Sequence, residues 1–501
     1  MRNPVVLSVL TLLVHHSIAQ VSIPGIYLER IDKLSDTTTL SLYTSIRDKP
    51  ESNFKFINPL IKATSNSLYP RALNDGPVWI GKGFGFEGHG GFNAARGNFS
   101  FTFFPVVFLS QNENHFRGDS VPEFRYQFSN RIDWVQRYGN GAFVKVHLGQ
   151  SELRFNTGKF IASLSTQNYS LGPATFNPIV LSRQAGGFPH LRLGIEPVKI
   201  QIKNKNLGKI ETNLIFGLLD ESEYFDNIPE NDKRYINILA IAFSPDFLQG
   251  LKVGFNKSLY KQTRFFEKTD LLSTLFILDD GVVDGDTLSP NDAFDQLVSL
   301  TVDWKFKEIG LRIYSEFAKN DFTSKSRFRY TASEPEHTRA YTIGFEKEVL
   351  TKKGNVTRIG YEHTNLSRNQ AIFWRRTPSY YQHGVNRNGY TNDGQIIGAG
   401  IGPGGNSDHL SIEVNYPTFK AGLLFQRIEY NRDYFVTNIA NLAKHDIEYS
   451  AHGFLRKEYQ SLILLFESSL SYNYNKYFQF DRVNFYFGIG GRFKLNQNNK
   501  S

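Results

Sequence analysis

Proteins hold sugars with aromatic rings that stack on the C–H faces and with amides and guanidiniums that meet the hydroxyls. One stretch of this chain gathers those groups at close spacing: Trp374-Arg375-Arg376-Thr377-Pro378-Ser379-Tyr380-Tyr381-Gln382-His383-Gly384-Val385-Asn386-Arg387-Asn388-Gly389-Tyr390. Trp374, Tyr381 and Tyr390 offer rings, Arg375 and Arg387 offer charge-assisted donors, and His383 sits among them. These six residues are the candidate polysaccharide contacts. The same composition also describes an extracellular loop beside an interfacial aromatic belt.

Other chemistries have less to stand on. Gly83-Phe84-Gly85-Phe86-Glu87-Gly88 has the spacing of a dinucleotide fingerprint, but that fingerprint works only at the start of a helix, and the residues after it read as a strand. The glycines therefore read as a turn that permits close backbone approach. The 12 histidines form no HExxH pair, and with no cysteine there is no thiolate zinc site and no disulfide. His363, His383 and His409 lie in or near the longest loop as solvated side chains. No Gly-x-Ser-x-Gly elbow occurs. No catalytic residue, metal, cofactor or nucleic-acid partner is assigned, and a barrel hydrolase would need a Ser, His and acid cluster at its rim.

The elements that position these residues are strands. Alternation of apolar and polar side chains, the period-two signature, runs through 99–103, 198–203, 311–314, 343–346, 359–362, 412–416, 447–449 and 483–493. Lys, Arg and Glu stand in mid-strand on the polar faces, and 43 Phe, 25 Tyr and 4 Trp supply enough rings for two interfacial girdles. Together these predict a transmembrane outer-membrane β-barrel, with a periplasmic sandwich or propeller as the competing architecture. Strands of ~9 to 11 residues allow about 16 to 18 of them. Clusters of Gly, Asn, Asp and Pro mark loops at 221–232, 279–292 and 377–408.

Arg2 followed by the apolar run 4–14 and by Ser17-Ile18-Ala19 reads as a secretory leader, residues 1–19. Residues 20–75 lack alternation. Tyr27, Leu28, Ile31 and Leu34 recur there at helical spacing, which predicts a short helical plug segment. The barrel is then expected over 76–493, with a tail at 494–501.

The order of motifs resembles the capsule assembly protein Wzi family. It runs through Trp79-Ile80-Gly81-Lys82-Gly83, Ser170-Leu171-Gly172-Pro173, 177–182 (NPIVLS), Gly187-Phe188-Pro189-His190, 221–226 (ESEYFD), 336–344 (EHTRAYTIG), Gly389-Tyr390-Thr391 and Gly394-Gln395-Ile396-Ile397-Gly398. The stretch before Gly172-Pro173 departs from the family, having Tyr169-Ser170-Leu171 where aromatic residues are usual. The resemblance implies a barrel of about 18 antiparallel strands, an N-terminal helical plug at the periplasmic mouth, and a non-enzymatic lectin that attaches capsular polysaccharide at the cell surface. The net charge of +9 favours an acidic polymer. The other expected partners are outer-membrane lipid and the barrel-insertion machinery. A porin-like diffusion channel is the alternative. N-terminal sequencing of the protein from outer membranes is expected to begin at Gln20, and recovery of Met1 there would reject the leader.

Overall fold

The computed structural model describes residues 40–43, 53–71, 73–118, 121–275, 294–320, 335–351, 355–369 and 377–495. Eighteen antiparallel strands close into one barrel. In chain order they are β1 (Lys55–Asn66), β2 (Gly83–Arg96), β3 (99–110), β4 (143–157), β5 (Phe160–Ser165) and β6 (His190–Ile202). Next come β7 (Lys205–Asp220), β8 (Lys233–Pro245), β9 (Leu251–Gln262), β10 (Asp295–Phe306), β11 (Leu311–Asn320) and β12 (Arg339–Leu350). The last six are β13 (Val356–Asn365), β14 (Asn406–Asn415), β15 (Phe419–Glu429), β16 (Ile447–Glu458), β17 (Leu462–Lys476) and β18 (Phe480–Phe493). β3 is broken at Phe104-Pro105 and β4 at 148–151, but both halves of each stay in register with a single neighbour. β18 pairs with β1, so no edge is left open around the wall.

Alternation along each strand sorts side chains between two environments. On β11, Ile313 and Phe317 face outward while Arg312, Tyr314 and Glu316 are fully buried inside. β18 does the same, with Phe485, Phe487 and Ile489 outside and Asn484, Tyr486 and Arg492 inside. An apolar exterior on every side and a charged interior is the arrangement that a hydrocarbon surround demands. Eight connections at one end have two to five residues, and all but one at the other end are longer. Short turns mark the periplasmic end and long loops the extracellular end of such barrels.

The lumen is filled. The chain between β5 and β6 and the chain between β13 and β14 turn inward, and their Tyr169, Ile179, Val180, Tyr381, Tyr390 and Ile397 form one apolar core with wall residues such as Ile236 and Leu297. Leu42–Tyr43 pairs inside the barrel with Ser170–Leu171, and Thr391–Asn392 pairs with Gln395–Ile396. Wall carboxylates hold this insert by its backbone. Glu362 accepts the amides of Thr175, Phe176 and Asn177 at 2.6, 3.0 and 2.8 Å and the Tyr314 hydroxyl at 2.9 Å. Glu316 accepts the Ile179 amide at 2.9 Å, and Glu211 accepts the Leu40 amide and the Ser41 hydroxyl.

Four expectations change here. The barrel begins at Lys55, inside the stretch read as a plug, because a bulge at Asn58-Pro59 shifts the register and breaks the alternation. The described part of 20–75 shows no helix; Leu42–Tyr43 is a strand, and residues 20–39 lie outside the described residues, as does 279–292. The stretch 377–408 is not a solvated loop, since most of it packs in the lumen and its end is already β14. Gly83 to Gly88 are strand rather than turn; only Gly83 keeps a left-handed backbone, φ 91°.

Each hydrogen bond to a buried charged group contributes about 1.5–3 kcal/mol, so Glu362→Ala should free the 175–177 segment without opening the wall. Ion conductance across a planar bilayer should rise above that of the parent, while unboiled samples still migrate as folded barrel on gels. Unchanged conductance would show that the Glu362 contacts do not hold the insert.

Candidate functional site

At the long-loop end the inturned segments leave a cavity of about 150 Å³. The chain between β1 and β2 supplies Tyr69, Arg71 and Trp79, and the chain between β3 and β4 supplies Tyr126, Trp134 and Gln136. Gln395 comes from the insert, Gln426 from the upper end of β15, and Tyr430, Asp446, Glu448, Lys476 and Tyr477 from the far side. Two of the four tryptophans of the chain therefore face one small space.

Each loop is fixed before it reaches the cavity. The Asn484 side chain on β18 accepts the amide of Leu68 at 2.8 Å, which sets Tyr69. Trp79 packs edge-on against Tyr138 at 4.8 Å, and Trp134 lies against Tyr126 at 4.8 Å. The Val135 amide donates to the Gly394 carbonyl at 2.9 Å, tying that loop to the insert. Gly402, at φ 77°, lets the backbone pass the Trp134 ring, where a Cβ would come within 2.3 Å.

Electrostatically the cavity is balanced. The Lys476 ammonium lies 5.0, 4.6 and 5.0 Å from the ring centres of Tyr69, Tyr430 and Tyr477. Asp446 accepts the Tyr477 amide at 2.8 Å through one oxygen. Burial pushes its carboxyl up to about 6, against the pull of Lys476 and of that amide. Its other oxygen, Oδ1, has no hydrogen-bond partner, and neither has Nε2 of Gln426, although both side chains are buried. Arg71 meets His452 at 2.5 Å and lies over the Tyr486 ring at 5.1 Å.

The residues named from sequence fall elsewhere. Tyr381 and Tyr390 are fully buried, stacked at 5.7 Å, and their hydroxyls donate to the carbonyls of Ile179 and Val180 at 2.8 Å. They are core residues, because a tyrosine in an inturned segment finds apolar neighbours and a backbone acceptor together. His383 is half-buried and its Nδ1 accepts the amides of Val385 and Asn386, a local turn. Arg387 is exposed on the same connection, and neither it nor His383 lines the cavity. Trp374 and Arg375 lie outside the described residues. His409 is not in a loop but inside the wall, stacked on Phe176 at 4.6 Å, and His363 pairs with Asp408 at 2.9 Å.

Catalytic readings find little in this geometry. Ser450 and His452 are 2.9 Å apart, but the other ring nitrogen of His452 faces Arg71, a cation that cannot stabilise an imidazolium as a triad carboxylate does. Among the described residues, no group of three or more His, Asp or Glu converges as a metal site.

A family model described as capsule assembly protein Wzi matches residues 57–421. Among solved structures the chain is similar to Wzi of Escherichia coli, described as an outer-membrane protein involved in group 1 capsule assembly and as a carbohydrate-binding β-barrel. That likeness has 13% identity and a TM-score of 0.57, and it covers 89% of this chain and 85% of that one. It is also similar to OccAB4 of Acinetobacter baumannii, with 10% identity, 91% and 99% coverage and a TM-score of 0.40. At these identities structural likeness speaks for the fold alone. No curated protein matches the chain in sequence.

The placement of the two tyrosines predicts a split outcome. Tyr381→Ala removes a core ring and should cost about 3–5 kcal/mol, read as a lower urea midpoint for loss of the folded gel form. Arg387→Ala, on the surface, should stay within about 0.5 kcal/mol of the parent. Equal midpoints for the two variants would contradict the burial of Tyr381.

Proposed function

The chain belongs to the capsule assembly protein Wzi family, and from that premise we propose that its long-loop end holds capsular polysaccharide at the cell surface. The protein is an outer-membrane β-barrel and acts without catalysis. The observation that carries the reading is the cavity in which Trp79, Trp134, Tyr126, Tyr430 and Tyr477 stand opposite buried polar groups at the extracellular rim. Rings give sugar faces something to stack on, and amides and carboxylates give the hydroxyls partners. The positive balance of the chain, with Arg131 and Arg387 exposed on this end, favours a polymer that is acidic overall. Outer-membrane lipid meets the apolar exterior, and the barrel-insertion machinery is the partner that a closed wall of this size calls for during assembly. A diffusion channel is disfavoured by the apolar core that occupies the lumen.

Binding here means attachment, so its loss has a distinct cellular sign. Trp134→Ala should weaken capture of isolated capsule by about 1–3 kcal/mol, the scale of one stacked ring. Cells carrying it should shed polymer into the medium while the total made stays constant. Full surface retention with unchanged capture by purified protein would move the binding site away from this cavity.

A further inference from the structure

The size and the lining of the cavity together restrict what enters it. A volume near that of a cavity that holds one benzene, about 150 Å³, admits a single six-membered ring rather than a length of chain. Its walls are aromatic on several sides. Its lining carries two unsatisfied groups of opposite kind, a donor on Gln426 and an acceptor on Asp446, which are 7% and 1% exposed. A hydroxyl both donates and accepts, so sugar hydroxyls can satisfy both groups at once. A carboxylate can only accept, so a uronate that turned its carboxylate toward Asp446 would leave Oδ1 bare.

Charge points the same way. Of the two cations that line the cavity, Lys476 lies among three tyrosine rings, and Arg71 turns Nη2 to His452 and lies over the Tyr486 ring. Asp446 and Glu448 face the same space, and an anionic substituent would be desolvated beside them. We infer that this cavity seats one uncharged pyranose unit, recognised through its hydroxyls by Gln426 and Asp446, and that it rejects a uronate in that position. The inference rests on the polysaccharide-holding reading above and refines it: within a polymer that is acidic overall, the unit taken into the cavity is neutral.

Tryptophan fluorescence of the purified full-length protein provides the readout, since Trp79 and Trp134 line the cavity. Methyl glucoside, methyl N-acetylglucosaminide and methyl glucuronide are titrated as probes, and capture of intact and carboxyl-reduced capsule is measured on the same preparations. The parent should respond to at least one neutral glycoside and more weakly to the glucuronide, and carboxyl-reduced capsule should still compete for the cavity. Gln426→Leu should weaken the neutral response about tenfold. Asp446→Asn should narrow the difference between neutral and anionic probes, and both variants must keep the folded gel form. A glucuronide response equal to or stronger than that of the neutral probes overturns the inference, as does an unchanged response in both variants. If the parent captures capsule but no neutral glycoside alters its fluorescence, the inference fails and the polysaccharide reading stands. If capsule is not captured either, both fail.

Discussion

Buried polar groups must be paired, and in this barrel that requirement decides what the inside looks like. Strand alternation that gives lipid an apolar wall forces Arg312, Glu316, Glu362 and many other polar side chains into the interior. An isolated ionised group in such a place is disfavoured by several kcal/mol. Arg312 is met by Asp303 at 2.8 Å and Glu346 at 3.2 Å and donates to the Pro173 carbonyl at 2.7 Å. Glu362 is met by three consecutive backbone amides. The insert is therefore more than a stopper, since its backbone groups complete the hydrogen bonding of the wall.

The same requirement operates at the closing seam. Lys62 on β1 reaches Glu467 on β17 at 2.8 Å, passing over β18, and lies 3.7 Å from Glu87 on β2. Gly488 on β18 makes this reach possible, because a Cβ there would approach the Lys62 side chain, Glu467 and the Tyr486 hydroxyl together. One cation thus ties the first strands to the last across the strand between them. The alternation of glycines at the end of β18 is the room this bridge needs.

What could be read from sequence was what repeats locally. Period two marked the strands because each residue's side is set by its neighbours, and it failed at Asn58-Pro59, where a bulge inserts one extra residue. The site was harder to read because no local pattern reports which loops converge. Trp79 and Trp134 meet Tyr430 and Lys476 across sequence separations of about 300 to 400 residues, and only closure of the wall brings them together. Conversely, Tyr381 and Tyr390 had the composition of a sugar contact, but burial of their rings and hydroxyls made them core. Several motifs that carried the family resemblance, Ser170 to Pro173, 177–182 and Gly389 to Gly398, lie in the lumen insert, so the resemblance was stronger evidence for how the barrel is filled than for what it binds.

The threading of Leu40–Tyr43 into the lumen sets an order of events in folding. Its partners, Ser170–Leu171 and Glu211, lie well over a hundred residues downstream, and Leu171 in turn packs among residues delivered after β13. The pairing itself needs the chain only as far as Glu211 on β7, but the core around Leu171 cannot be completed until the chain after β13 has been delivered. Hairpins with short turns can pair early, whereas the interior must wait for contacts of very long sequence separation, which form slowly. During that interval a strand segment, two long connections and a set of wall charges lack their final partners inside a nearly finished cylinder. Closure of β18 on β1 pairs the last strand with the first, the largest sequence separation in the wall, and so belongs with the slow contacts rather than with the hairpins.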